Sequence, residues 1–267
     1  MRRHGTAGSQ RRPRGTGLVA VLVLVGGLVG GLVSAPATAG SSDYRLARAK
    51  TPDGVNRVVR WNPCQKVTYR VNVSLAAGTS AGRSSALADV RRAVSRLSAR
   101  TGIPFAYEGR TSQVPTSTSS RTWWQRQQQA ELVVAWVDQR RAATRSSLLG
   151  KTAGRWSAGT GGQVYKAWTS SGKWRLASGR GFVVLDAAQR RSFKPGFGAG
   201  VTRGALLMHE LAHVMGLEHV SATSQLMYPV IRNRSSTSYR SGDRTGLAKV
   251  GRPAGCIRVP AAVWPAI

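Results

Sequence analysis

Three histidines and one glutamate fall where a single metal ion could be bound and put to use. His209 and His213 are four residues apart, which on a helix stacks them one turn apart on the same face, so both imidazoles can point at one ion. Glu210 sits beside the first of them, where its carboxylate can reach a metal-bound water without ligating the metal. Gly216 fits a helix end, where a left-handed residue costs little. The chain can then turn and bring His219 back as a third ligand. Three neutral nitrogens leave a fourth tetrahedral position for water, the arrangement of a catalytic rather than a structural Zn2+. The chemistry to expect is metal-assisted hydrolysis of a peptide bond: the zinc lowers the pKa of its water and polarises the carbonyl, and Glu210 acts as general base.

The pattern is specific. His209, Glu210, His213, Gly216 and His219 must stand at fixed offsets, and an accidental match at this chain's residue frequencies is roughly a one-in-a-million event, so unrelated histidines are set aside. The chain has four histidines, and the remaining one, His4, lies in the N-terminal leader.

The segment from His209 to Pro229 resembles the matrixin branch of the metzincin zinc metalloproteases, and an actinobacterial-looking secreted member in particular. Met227, in Gln225-Leu226-Met227-Tyr228-Pro229, falls eight residues after His219 and looks like the methionine turn that forms an apolar floor under the zinc histidines in that family. Asp243, Gly246 and Leu247 resemble the start of the family's C-terminal helix; an ordinary capped helix is the alternative. The resemblance implies an α+β fold: a twisted mixed β-sheet with an early packing helix, an active-site helix and a C-terminal helix. It also implies that Phe182 to Leu185 is the edge strand that pairs with an extended substrate, and that a specificity pocket has its wall near His219 and Tyr228 to Ile231. Departures are visible. Val220 follows His219, where matrixins often have serine, and Cys64 lies in Asn62-Pro63-Cys64 rather than in the family's latency motif. The mature chain has no spare histidine for a second zinc, and its dispersed acidic residues argue against calcium sites.

The elements that must position these residues can be read from periodicity. Val67, Tyr69, Val71 and Val73 alternate with polar residues, as in a half-buried strand. Leu87, Val90, Val94 and Leu97 recur at helical spacing and predict a helix from about Ser84 to Arg100, closed by Gly102 and Pro104. Phe105 to Tyr107 and Leu132 to Val137 read as strands, Gln113 to Ser120 as a polar loop, and Gln139 to Gly162 as a long surface loop. Val164 to Trp168 and Trp174 to Leu176 flank Ser170-Ser171-Gly172 as a hairpin. Pro195 to Gly200 is a loop, with the active-site helix starting near Val201 or Thr202. Strands and helices share one domain, so a mixed sheet carrying helices is expected.

Residues 1–39 read as a signal peptide: arginines 2, 3, 11, 12 and 14, an apolar run from Leu18 to Val33, and Ala37-Thr38-Ala39 before a cleavage site near Ala39-Gly40. The run is short for a membrane span, though a retained anchor is the alternative. Residues 40–60 read as an extended N-terminal segment and 61–267 as the catalytic domain. An exported, extracellular or cell-wall-associated monomer free of the membrane is expected. Its two cysteines, Cys64 and Cys256, would then form a disulfide, two buried free thiols being the alternative. Five of the 40 Lys and Arg lie in the leader, leaving 35 against 10 acidic residues, a net +25. Such a chain adheres to anionic polymers, but the arginines are scattered and no nucleic-acid motif accompanies them. Beside a protein or peptide substrate, non-specific binding to anionic cell-wall polymers is therefore expected. A basic polyanion-binding protein with a degenerate zinc site is the rival reading. The eight tryptophans, Trp123-Trp124 among them, are read as packing rather than carbohydrate contact.

Overall fold

The computed structural model describes residues 21–22, 43–116, 130–152, 154–261 and 263. The leader lies outside these residues apart from Val21–Leu22, which pair antiparallel with Val230–Ile231. Trp123, Trp124 and residues 117–120 also lie outside them.

Five strands form one mixed sheet: β1 (Val67–Asn72), β2 (Phe105–Arg110), β3 (Leu132–Val137), β4 (Gly159–Ser170) and β5 (Lys173–Asp186), in the order β4-β5-β3-β1-β2. β2, β1, β3 and β5 run parallel, and β4 returns antiparallel along β5. The hairpin between β4 and β5 turns at Ser171 and Gly172, both with positive φ (49° and 69°), as the sequence around Ser170 leads one to expect. Leu132, Val134, Trp136, Val183 and Leu185 face the main core under the helices. On the opposite face Val137, Phe182 and Val184 are covered by Leu148 and Leu149.

Two expectations fail here for one reason. Phe182 to Leu185 is not an edge: it lies inside β5, paired with both β4 and β3, and all four side chains are buried. An apolar run buried on both faces is what a central strand needs. The edge is β4, whose first four residues, Gly159-Thr160-Gly161-Gly162, the sequence assigns to a surface loop. Glycine usually marks a turn, but here it lets a helix lie flush against a strand.

Helix α1 (Ser80–Thr101) starts on Thr79, whose hydroxyl accepts from the Gly82 N–H, and ends on Gly102 in the left-handed conformation. It runs four residues further upstream than periodicity predicts, because its first turn is solvent-facing and carries no apolar signal. Helix α2 (Arg203–Met215) is capped by Thr202, whose hydroxyl accepts from the Ala205 N–H, and by Gly216 at φ 101°. A Cβ at Gly216 would lie 2.4 Å from the Val59 carbonyl oxygen. Every residue of α2 is buried, so it is a core helix walled by the sheet, α1 and α3 (Ser241–Val250). α1 and α2 are cross-linked by a buried ion pair in which Arg203 Nε donates to Asp89 Oδ2 at 2.8 Å, and the same oxygen accepts from the Gly196 N–H.

The segment from Asp43 to Arg60 docks on this body rather than standing apart from it. Arg45–Leu46 pair with Leu217–Glu218, Arg48–Lys50 pair with Asn56–Val58, and the Ala47 N–H donates to the Gly216 carbonyl. Cys64 and Cys256 form a disulfide across 192 residues of sequence. Asn62 Oδ1 accepts from the backbone N–H of both Cys64 and Ile257, and the Arg60 guanidinium donates to the carbonyls of Ala254 and Gly255.

Two measurements check this account. Replacing both cysteines by serine should lower the unfolding free energy by about 2–5 kcal/mol in urea titrations. A Cβ on Gly161 would lie 1.9 Å from the Glu210 backbone oxygen. Gly161→Ala should therefore destabilise the fold by about 1–3 kcal/mol, because the buried helix has nowhere to move.

Candidate active site

Helix α2 presents His209 and His213 one turn apart, and the left-handed Gly216 turns the chain so that His219 comes back to face them. The His209 Nε2 atom is 3.1 Å from Nε2 of both His213 and His219. The three rings meet edge-on or tilted, with centroids 4.8 to 5.1 Å apart.

The protonation of the cluster follows from its backbone contacts. His209 Nδ1 is 2.7 Å from the Leu226 carbonyl oxygen, and His213 Nδ1 is 2.6 Å from that of Leu217. A carbonyl can only accept, so both Nδ1 atoms carry the proton and both Nε2 atoms present lone pairs. Two lone pairs 3.1 Å apart cannot bond each other; a cation between them removes the repulsion. Burial holds the imidazoles neutral. It pushes His209 down to about 3, helped by His219, pushes His213 well below the usual histidine range, and pushes His219 down to about 4, helped by the charge of Arg45. Neutral, convergent imidazoles, two of them with Nε2 free of a proton, are the donor chemistry that zinc requires, so the residues fit the ion.

Glu210 completes the site from the other side. Its carboxyl is fully buried, with no side-chain hydrogen-bond partner and only the Gly161 backbone N–H beside it. Burial pushes its proton affinity well above that of an ordinary glutamate. The side chain fits only because the strand beside it has no Cβ: one at Gly159 would lie 2.9 Å from Glu210 Oε1. A buried carboxyl with so little hydrogen bonding is costly unless something else enters the site.

The carbonyl that orients His209 is itself held. Asp243, at the start of α3, accepts from the N–H groups of Leu226 (2.8 Å), Met227 (3.2 Å) and Arg240 (2.9 Å). Gln225 Oε1 accepts in turn from the N–H groups of Gly242 and Asp243. Met227 is buried in this knot, and its carbonyl accepts from the Val220 N–H, which ties the turn to the residue after His219. The Tyr239 hydroxyl donates to the Met208 carbonyl, one residue before the first histidine.

The residues singled out by sequence thus meet in one place: His209, Glu210, His213, Gly216, His219, Met227 and Asp243 all belong to the site or its immediate support, and Cys64 and Cys256 lie apart in their disulfide. Sequence reasoning missed the orienting carbonyls of Leu217 and Leu226, the role of Gln225, and Gly159 and Gly161. The carbonyls carry no side-chain signal. The glycines did carry one, a Gly-x-Gly-Gly run just before an alternating segment, which reads equally well as a loop.

A family model described as Matrixin matches residues 60–250, a span holding the three histidines, Glu210, β4 and Asp243. No curated protein matches the chain. If Asp243 holds the His209 side of the site in place, Asp243→Ala should weaken zinc binding about 10–100-fold, read by competition against a chromogenic chelator.

Proposed function

The chain belongs to the matrixin family of zinc metallopeptidases, and from that membership we propose that it is a secreted endopeptidase in which Nε2 of His209, His213 and His219 would hold one zinc ion and Glu210 is the general base. The observation that carries the reading is the pairing of two proton-free imidazole nitrogens with a buried carboxyl on the same helix, His219 Nε2 lying 3.1 Å from the first of them. Zinc bound there would supply Lewis acidity, lowering the pKa of a water toward 7 and polarising the scissile carbonyl.

The chain's own residues supply the rest. Glu210 takes the water proton on a carboxylate oxygen and delivers it to the leaving amine. Its raised proton affinity suits an acceptor that must hold a proton between two steps. Gly159 and Gly161 keep that carboxyl packed against β4 and away from bulk water. β4 is the sheet's edge on this side, so an extended peptide can add to it as an antiparallel strand, with its backbone bonded to the strand and its side chains free for recognition. The Tyr228 to Ile231 stretch follows the methionine turn and would wall the pocket for the side chain after the cut. The disulfide supports export, since such bonds persist in oxidising compartments. Among the described residues no helix is long and apolar enough to cross a membrane.

A second role, adhesion to anionic wall polymers, is favoured by the net charge of +25 that remains without the leader and is compatible with the first. Salt-sensitive retention of the Glu210→Gln variant on isolated cell walls isolates it from proteolysis.

The decisive test is the same variant assayed on peptides. Glu210→Gln should reduce kcat/KM by at least about 100-fold while zinc content stays at one ion per chain. A chelator should abolish wild-type cleavage, and added zinc should restore it. Full activity in the variant, or cleavage indifferent to the chelator, would exclude this mechanism.

A further inference from the structure

One end of the cleft is closed by a segment outside the zinc site, and its charge bears on what the cleft accepts. A recess beside the histidines is bounded by Gly161, Gln163 and Tyr165 of β4, by His213, by Glu218, and by Arg48 from the docked N-terminal segment. β4 runs from Gly159, next to the Glu210 carboxyl, toward Tyr165. A peptide added antiparallel runs the other way, so the residues preceding its scissile bond pass Tyr165 and Gln163 before reaching the histidines. The recess is therefore on the N-terminal side of the cut.

The charges around it do not cancel. Glu218, the acid in the recess wall, stands opposite Arg45 in the pairing of Arg45–Leu46 with Leu217–Glu218, so a cation already faces it. The acid of the neighbouring hairpin is taken as well: Asp53 is bonded by the Arg57 guanidinium at 2.8 Å. Arg48 is exposed, and its guanidinium has a single contact of 3.4 Å, to the Asn56 carbonyl. Among the described residues, no carboxylate lies within ion-pair distance of it. A guanidinium presents five donors in a fork suited to a carboxylate, and Arg48 lines this recess on the N-terminal side of the cut.

We propose that Arg48 makes this end of the cleft select an acidic side chain, aspartate or glutamate, among the few residues preceding the scissile bond, so that the preferred substrates are acidic peptides. The inference rests on the peptidase reading above and names the substrate class of that site. The chain's strong positive charge works in the same direction by drawing acidic polypeptides to the surface before they dock.

The test is a peptide-library digest with the zinc-loaded protein, its cut sites read by mass spectrometry, for wild type, Arg48→Gln and Arg48→Glu. Wild type should show aspartate and glutamate enriched about two- to fivefold over neutral residues at one position before the cut, with the enrichment shrinking as salt is raised. Arg48→Gln should erase the enrichment, and Arg48→Glu should replace it with lysine and arginine. Should Arg48→Glu not fold, as judged by circular dichroism, Arg48→Gln carries the comparison. Cleavage without acidic enrichment, or enrichment that survives in the variants, overturns the role of Arg48 and leaves the peptidase reading standing. Absence of any chelator-sensitive cleavage by wild type overturns the peptidase reading, and the substrate class falls with it.

Discussion

The contact on which the site depends is the one between helix α2 and strand β4. The backbone of Glu210 lies so close to Gly161 that no other residue fits at that position without displacement. Close approach does two things at once. It seals one side of the Glu210 carboxyl against solvent, which raises its proton affinity, and it sets the edge strand beside the histidines, where an extended peptide can align. Packing and chemistry share one constraint here. The helix cannot drift from the strand without both exposing the Glu210 carboxyl and moving the edge strand away from the histidines. That explains why α2 is buried along its whole length, since a partly solvated helix would have room to move.

On its other side the helix is held by polar contacts in addition to the apolar packing of α1 and α3. The ion pair from Arg203 to Asp89 joins α2 to α1 in a buried setting, with Ser85 accepting from the same guanidinium and the Gly196 N–H completing the carboxylate. The Asp243 knot joins the methionine turn to α3. Both are charged groups that find several hydrogen bonds in return for their desolvation, which is the condition under which buried charge is tolerated. They also give the histidine cluster a fixed frame. His209 is oriented by Leu226, Leu226 by Asp243, and the Asp243 N–H by Gln225, a chain of single contacts with little slack.

Much of this was legible in the sequence, and what was not has identifiable causes. The helix bearing the histidines, its start at Thr202 and its end at Gly216 follow from caps and spacing, which are local signals. Leu132 to Val137 and the hairpin at Ser171-Gly172 are legible for the same reason. The edge of the sheet was not. Strand order is a tertiary property, and the two candidate segments gave opposite local impressions: Phe182 to Leu185 looks like a strand because it is buried on both faces, and Gly159 to Gly162 looks like a loop because its glycines serve a neighbouring helix. The start of α1 was missed because its exposed first turn has no apolar periodicity. Asp243 was noticed only as a helix start, since nothing in its own neighbourhood shows that two of its three hydrogen bonds reach back to residues 226 and 227.

The disulfide has a further meaning for a chain of this kind. Cys64 and Cys256 enclose nearly all of the folded body, including the sheet, the three helices and the exposed arginines of the segment from residue 138 to 155. A single break in the backbone anywhere inside that ring yields a nicked protein and not two separable pieces, because the fragments stay joined through sulfur. A peptidase at high local concentration is exposed to cuts from its own copies, and exposed surface loops are where such cuts fall. Ring closure turns that event from loss of half the molecule into a local opening, which the β4–β5 hairpin and the surrounding core can survive.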